Sequence, residues 1–252
     1  QPNDEFGNFI PIGSRETKDT IWNIGTYCRG VETARDVWVY QYNSERLNKQ
    51  IKTSIDFYNR ELQKFNKEKN INDNCRPQDI VSYDHTKISW SRAFINDIKR
   101  NKKKIFAKNS VTTALYRPFN KQLFYFNRQQ NNVVSLLDSF FPNTKTKNIA
   151  ICISARYKDG TVLITDSVPD LHFNGDTQVF PLYYYEEQKK QNPNLFEESG
   201  QTEYVRRDGI SNFILERAKE QYGKNVSKEH IFYYVYGFLH SPEYRQRFAN
   251  DL

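Results

Sequence analysis

Asp170, His172 and Asp176 fall within one short stretch, Pro169-Asp170-Leu171-His172-Phe173-Asn174-Gly175-Asp176. Two acids beside an imidazole are the residue types that can hold a divalent metal for phosphodiester cleavage. Nucleases of the common restriction type also need a lysine close to acids on adjacent strands, and no Glu/Asp-x-Lys follows here. Acids in such a loop more often orient arginines or cap turns, so the sequence predicts neither a catalytic nor a metal-binding residue. A second stretch offers different chemistry. Asn127-Arg128-Gln129-Gln130-Asn131-Asn132 gathers the side chains that read base edges, Arg against guanine and Asn or Gln against adenine. Its bland alternative is a solvated hairpin turn.

The surrounding charge favours a polyanion. Between Thr86 and Lys158 stand fifteen Lys and Arg against two acids, Asp97 and Asp138, a local balance of +13 in a chain of net +7. Residues 1–85 sum to −1 and residues 159–252 to −5. A basic block between mildly acidic flanks marks a face for phosphates, and Tyr116, Phe119, Phe124, Tyr125 and Phe126 are interleaved with it. Lys and Arg position a phosphate backbone while Asn, Gln and Arg add base reading. The candidate nucleic-acid contacts are Arg117, Lys121, Arg128, Gln129, Gln130, Asn131, Asn132, Lys145, Lys147, Arg156 and Lys158. The cationic run Lys99 to Lys104 equally suits the C-terminus of a helix.

Other classes are disfavoured. No Gly-x-x-x-x-Gly-Lys-Ser/Thr phosphate loop is present, and His85, His172, His230 and His240 lack metal-ligand spacing. No stretch approaches the roughly 20 apolar residues of a membrane helix. Cys28, Cys75 and Cys152 are odd in number and scattered, which fits a reducing compartment and predicts a cytoplasmic protein. Mean hydropathy is low at −0.84, but an aromatic content of 15% supplies a core. The start at Gln1 and the absence of Met suggest an excised piece of a longer polypeptide.

The elements that must position these residues give an α+β fold, a mostly antiparallel central sheet flanked by N-terminal and C-terminal helices. Val37 to Tyr42 is predicted as a strand. Leu47, Ile51, Ile55, Tyr58, Leu62 and Phe65 recur at helical spacing after Ser44, and residues 66–84 read as an irregular linker. Ser89 to Ile105 is predicted as a helix burying Trp90, Phe94, Ile98 and Ile105. Strands are expected at 111–116, 122–126, 148–154, 161–165 and 178–185, followed by a polar loop through Arg207. A helix from Asp208 or Ser211 to Tyr222 should turn Ile210, Phe213, Ile214 and Ala218 inward. Ser227 should cap a helix, Ile231 to Leu239, apolar nearly all round and therefore expected to be buried, and Ser241-Pro242 should open the last one. The expected division is 1–85 as connector and long helix, 86–207 as the basic sheet-containing part and 208–252 as a helical part.

Several stretches together resemble one family, the C-terminal target-recognition region of Type ISP restriction–modification enzymes. They are Ile10-Pro11-Ile12-Gly13-Ser14-Arg15, Gly30-Val31-Glu32-Thr33-Ala34-Arg35-Asp36-Val37-Trp38-Val39-Tyr40, Asp56-Phe57-Tyr58-Asn59, Leu115-Tyr116-Arg117-Pro118-Phe119, Lys147-Asn148-Ile149, the run Gln178 to Tyr185, Asp208-Gly209-Ile210 and, most specific, Ile231 to Arg245. The resemblance implies double-stranded DNA as partner, together with methyltransferase and translocase domains of the same polypeptide. It implies S-adenosylmethionine, ATP and Mg for the full-length enzyme and no cofactor in this chain. In that family the pattern continues past the final helix, so a stop at Leu252 again suggests a fragment. Arg117 lies inside a family stretch whatever the target, which favours a structural or backbone-contacting role for it. The rival readings are a metal-dependent nuclease using Asp170, His172 and Asp176, a basic docking module for an acidic partner domain, and single-stranded RNA binding.

Overall fold

The structure is a computed structural model and describes residues 27–154, 161–188 and 203–249. After β1 (Cys28–Arg29) come α1 (Asp36–Val39), β2 (Tyr40–Gln41), α2 (Ser44–Ile71), α3 (Pro77–Ile80) and α4 (Arg92–Lys99). Strands β3 (Val111–Arg117) and β4 (Asn120–Tyr125) precede α5 (Leu137–Phe140) and β5 (Ala150–Ser154). Then follow β6 (Val162–Thr165), β7 (Val168–Pro169), β8 (Thr177–Pro181), β9 (Tyr183–Gln188) and β10 (Glu203–Asp208). Helices α6 (Asn212–Tyr222), α7 (Lys228–Leu239) and α8 (Pro242–Arg247) complete an α+β fold. Packing divides the chain into two units, residues 31–134 and residues 1–30 with 135–252. That line differs from the division at 85 and 207 expected from composition.

In the unit 31–134, α2 starts where Asn43 accepts a hydrogen bond from the Arg46 amide, one residue before the expected cap, and buries all six residues of the apolar stripe. Phe57, Tyr58, Leu62 and Phe65 pack with Val81, Ile88, Phe94 and Ile98 into one core. Helix α2 runs on to Ile71 and α3 follows, so much of the expected linker is helical. Helix α4 is capped by Ser91 and ends at Lys99, because Asn101 turns the backbone to φ +54°. Ile105, expected inside, is therefore 65% exposed. Strands β2, β4 and β3 pair antiparallel in that order. Of the strand expected at 37–42, Tyr40 and Gln41 form β2, while Asp36 to Val39 is a helical turn. Its β-favouring residues are overruled by a side chain, since the Asp36 carboxylate is held by Thr33, Tyr116 and Arg117.

The other unit is built on the antiparallel order β1-β8-β5-β6 and a separate β9–β10 ribbon, rather than one central sheet. The strand expected at 178–185 is split because the Leu182 amide turns to the Ile149 carbonyl, and residues 203–208, expected as loop, form β10. Two glycines sit where backbones touch. A Cβ on Gly30 would lie 2.6 Å from the Asp170 carbonyl oxygen, and one on Gly209 would lie 2.3 Å from that of Pro181. Ser211, Ser227 and Ser241 cap α6, α7 and α8 as expected. Helix α7 departs from expectation in its burial. Phe232 packs with Ile151, Val162 and Leu182, but Tyr233 is 54% and Tyr234 62% exposed, and Val235 and Phe238 are exposed too. Phe213 of α6 is likewise exposed rather than inward. Tyr236 and Leu239, four and seven residues on, complete the seated face, and the pattern alone does not say how much of an all-apolar helix is covered.

Candidate nucleic-acid interface

The loop 127–132 is held from beneath by two buried cations. Arg35, 3% exposed, donates to the carbonyl of Gln130, to that of Thr33 at 3.0 Å and to the Ser91 hydroxyl at 2.9 Å. Its guanidinium lies 3.5 Å above the Phe94 ring centre. Lys104 Nζ donates to the Gln129 carbonyl at 2.7 Å and to Asp97 Oδ2 at 2.9 Å, and sits 3.9 Å from the Phe94 ring centre. Burial lowers the Arg35 guanidinium to about 9, with Asp97 pulling it back up. Burial also lowers the Lys104 ammonium, again opposed by Asp97. Carbonyls, one carboxylate and a ring face replace the water that burial takes from both cations.

Helix α2 fixes the height of that clamp. Asn59 exchanges two hydrogen bonds with the Lys104 backbone, at 2.9 and 3.0 Å, and the Tyr58 hydroxyl donates to the Lys102 carbonyl at 3.0 Å. Burial, and next Asp97, push the Tyr58 phenol up, so it stays a donor.

This placement changes the reading of the Asn/Gln cluster. Gln130 is 1% and Asn131 4% exposed, so neither offers its amide to a DNA groove in this structure. Asn131 donates to the Tyr125 and Asn127 carbonyls, Asn132 donates to Glu32, and Gln129 Oε1 accepts from the Ile105 amide. Asn127 Oδ1 accepts from the Gln129 amide at 2.8 Å, an Asx turn. The amides chiefly hold the loop's own shape. Arg128 and the body of Gln129 are what the loop exposes.

At the far end of β4 the β3–β4 hairpin carries Arg117 and Lys121. Arg117 Nη2 lies 3.5 Å from Asp36 Oδ2, and Nη1 donates to the Tyr116 carbonyl at 2.6 Å. The guanidinium carbon is 3.9 Å from the Tyr116 ring centre. Arg117 is thus engaged within the hairpin while still partly exposed, and Lys121 is exposed on β4.

The remaining candidates belong to the other unit. Lys145 and Lys147 are exposed in a loop where Asn143 Oδ1 accepts from the Lys145 and Thr146 amides. Arg156 and Lys158 lie outside the described residues. In the acidic loop, His172 Nδ1 stands 3.4 Å from Asp176 Oδ1, but Asp170 is 2% exposed and its Oδ1 accepts from the His172 amide at 2.9 Å. That is a turn cap. Among the described residues no group of three His, Cys, Asp or Glu side chains is placed to hold a metal.

Sequence reasoning missed Arg35, Asp36, Asn59 and Lys104. Their only signal was membership of the family-like stretches or, for Lys104, of a cationic run that looked uniformly solvated.

An α+β chain whose basic residues sit on a clamped loop, a hairpin and a second exposed loop has the build of a nucleic-acid specificity module. The sequence model of the Type ISP C-terminal specificity domain matches residues 24–252, and the chain belongs to that family. No curated protein matches it. Among solved structures it is similar to the ATP-dependent Type ISP restriction–modification enzyme LlaBIII bound to DNA, with TM-score 0.74 and 26% identity over 100% of this chain and 15% of that one. It is similar to a nuclease-deletion mutant of the Type ISP enzyme LlaGI in complex with a DNA substrate mimic, with TM-score 0.72 and 29% identity over 100% of this chain and 21% of that one. The DrdV–DNA complex gives TM-score 0.69 and 29% identity over 88% of this chain and 20% of that one. The chain therefore spans about a fifth or less of the length of these relatives.

Proposed function

We propose that this chain recognises a specific sequence in double-stranded DNA and positions it for adenine methylation and coupled cleavage by other domains of one restriction–modification polypeptide. The observation that carries this reading is the specificity-domain match over residues 24–252, joined to solved relatives captured with DNA. Exposed Lys121, Arg128, Lys145 and Lys147 supply phosphate contacts, and Arg128 with Gln129 is the place to look for base reading. Catalysis, with S-adenosylmethionine, ATP and Mg, is assigned to the methyltransferase, translocase and nuclease parts. A cytoplasmic location belongs to the same proposal, in keeping with three cysteines that are all free. Among the described residues no helix is long and apolar enough to cross a membrane.

The test is fluorescence anisotropy of the protein on duplexes enriched from a random pool, across a salt series. Log affinity should fall linearly with log salt, by roughly 0.9 per neutralised phosphate. Enriched duplexes should outcompete random ones. Absence of duplex binding even at low salt would remove the reading and favour a basic face that docks on an acidic protein domain.

A further inference from the structure

Phe119 is the most exposed large apolar side chain among the described residues, at 94%. It is also one of five non-glycine residues there with positive φ, at +63°, and the only aromatic one. The hairpin closes through Pro118 and Phe119, with Arg117 paired to Asn120 on either side. A proline followed by a left-handed residue is turn chemistry that favours Gly or Asn at the second position. An aromatic there is under backbone strain and gains no burial in return. A lone exposed apolar residue is ordinary. One held in a strained conformation at full exposure is not.

The surroundings keep the tip rigid. Asp36 and the Tyr116 ring hold Arg117 on one shoulder, and Tyr42 donates to Asn120 Oδ1 at 3.0 Å on the other. Pro118 is exposed beside Phe119. Residues 111–132 carry three cations, Arg117, Lys121 and Arg128, and no acid. Phe and Pro are among the side chains that DNA-bending proteins push between base steps, with cations gripping the flanking phosphates. Strand β4 separates this tip from the loop 127–132 by about 20 Å, at 3.3 Å per residue. That matches about six steps of duplex.

The geometry points to Phe119 as an intercalating wedge: a preformed apolar tip that enters the base stack of duplex DNA and unstacks one step at a distance from the reading loop. The inference rests on the DNA-recognition reading above and adds a deformation of the DNA to it. Unstacking is easiest at pyrimidine–purine steps, so the wedge makes the site's sequence matter where no base edge is contacted.

The experiment uses the full-length protein and duplexes that it enriches from a random pool, resynthesised with the fluorescent adenine analogue aminopurine at successive positions. Wild type should raise the emission several-fold at one or two adjacent positions. Phe119→Gly and Phe119→Asn should return it to the free-duplex level and weaken binding about tenfold, the size of a lost base–aromatic stack. Phe119→Trp should keep both. Neither Gly nor Asn should lower the melting temperature of the protein, because both accept positive φ. Unchanged emission and affinity in Phe119→Gly would overturn the wedge, as expected if the ring packs on another protein domain. Tight binding by wild type without any emission change would overturn it too and leave the recognition reading standing. Failure of wild type to bind any duplex would remove both.

Discussion

Lys104 Nζ donates to the Gln129 carbonyl at 2.7 Å from a side chain only 3% exposed, joining the end of a cationic run to a loop 25 residues later. Of the cluster 99–104, this one lysine is turned inward, and its role is to hold the loop. Lys104→Met should therefore cost about 3 kcal/mol by leaving the Gln129 carbonyl without its donor and Asp97 with only the more distant Lys102, at 3.7 Å. Urea denaturation checks the loss, and hydrogen exchange should speed at residues 129–131. An unchanged midpoint would mean that the clamp contributes nothing.

Gln130→Ala separates structure from reading. Gln130 is buried, so truncation should lower stability by about 1–3 kcal/mol through the cavity it leaves, offset in part by removal of an Nε2 that has no hydrogen-bond partner, and leave sequence preference unaltered. Arg128→Ala should do the reverse, with little effect on stability and a changed order of preferred duplexes. A selection from a random pool alongside a thermal melt distinguishes the two.

Removing one charge at Lys145 or Lys147 should weaken all duplexes alike and reduce the salt slope by about 0.9 per residue. A change in preference without a change in slope would reassign these lysines to base contact.

Gly30→Ala should be costly for a reason that has nothing to do with DNA. The new Cβ would meet backbone atoms of Asp170 and Leu171 at 2.6 to 2.8 Å, and backbone yields little. We expect a loss of ~3 kcal/mol. A neutral variant would show that the strand and the 170–171 backbone can separate freely.

Tyr183 gives the unit containing the β9–β10 ribbon a pH signature. Burial, then its bond to Glu229, raises the phenol from 10.0 to about 12. The folded state holds this proton more tightly than the unfolded one. The resulting stability is complete below pH 10 and is lost as pH rises towards 12. Tyr183→Phe should flatten the stability curve across that window.

Where periodicity and capping act locally, the sequence was readable. The stripe on α2, the Ser caps of α6 to α8 and the paired strands β3 and β4 all stand where spacing puts them. Burial that depends on a distant partner was not. Helix α7 looked like core because it is apolar all round, yet only Phe232 is fully buried, with Tyr236 and Leu239 half-buried beside it against the strands. The Asn/Gln cluster looked like a reader because amides can bond base edges, and the same amides bond the backbone equally well.

By itself the sequence determined the basic block, the α+β composition and the family, since charge balance, periodicity and ordered short stretches are properties of the chain. Tertiary structure alone decided what those stretches do. It brought Arg35 and Asp36 to residues 130 and 117, and Asn59 to Lys104, which separates the side chains holding the loop and hairpin from those facing outward. The reason is physical: a cation or amide has the same chemistry in every sequence, and only burial decides whether its partner is a carbonyl of its own chain or a phosphate.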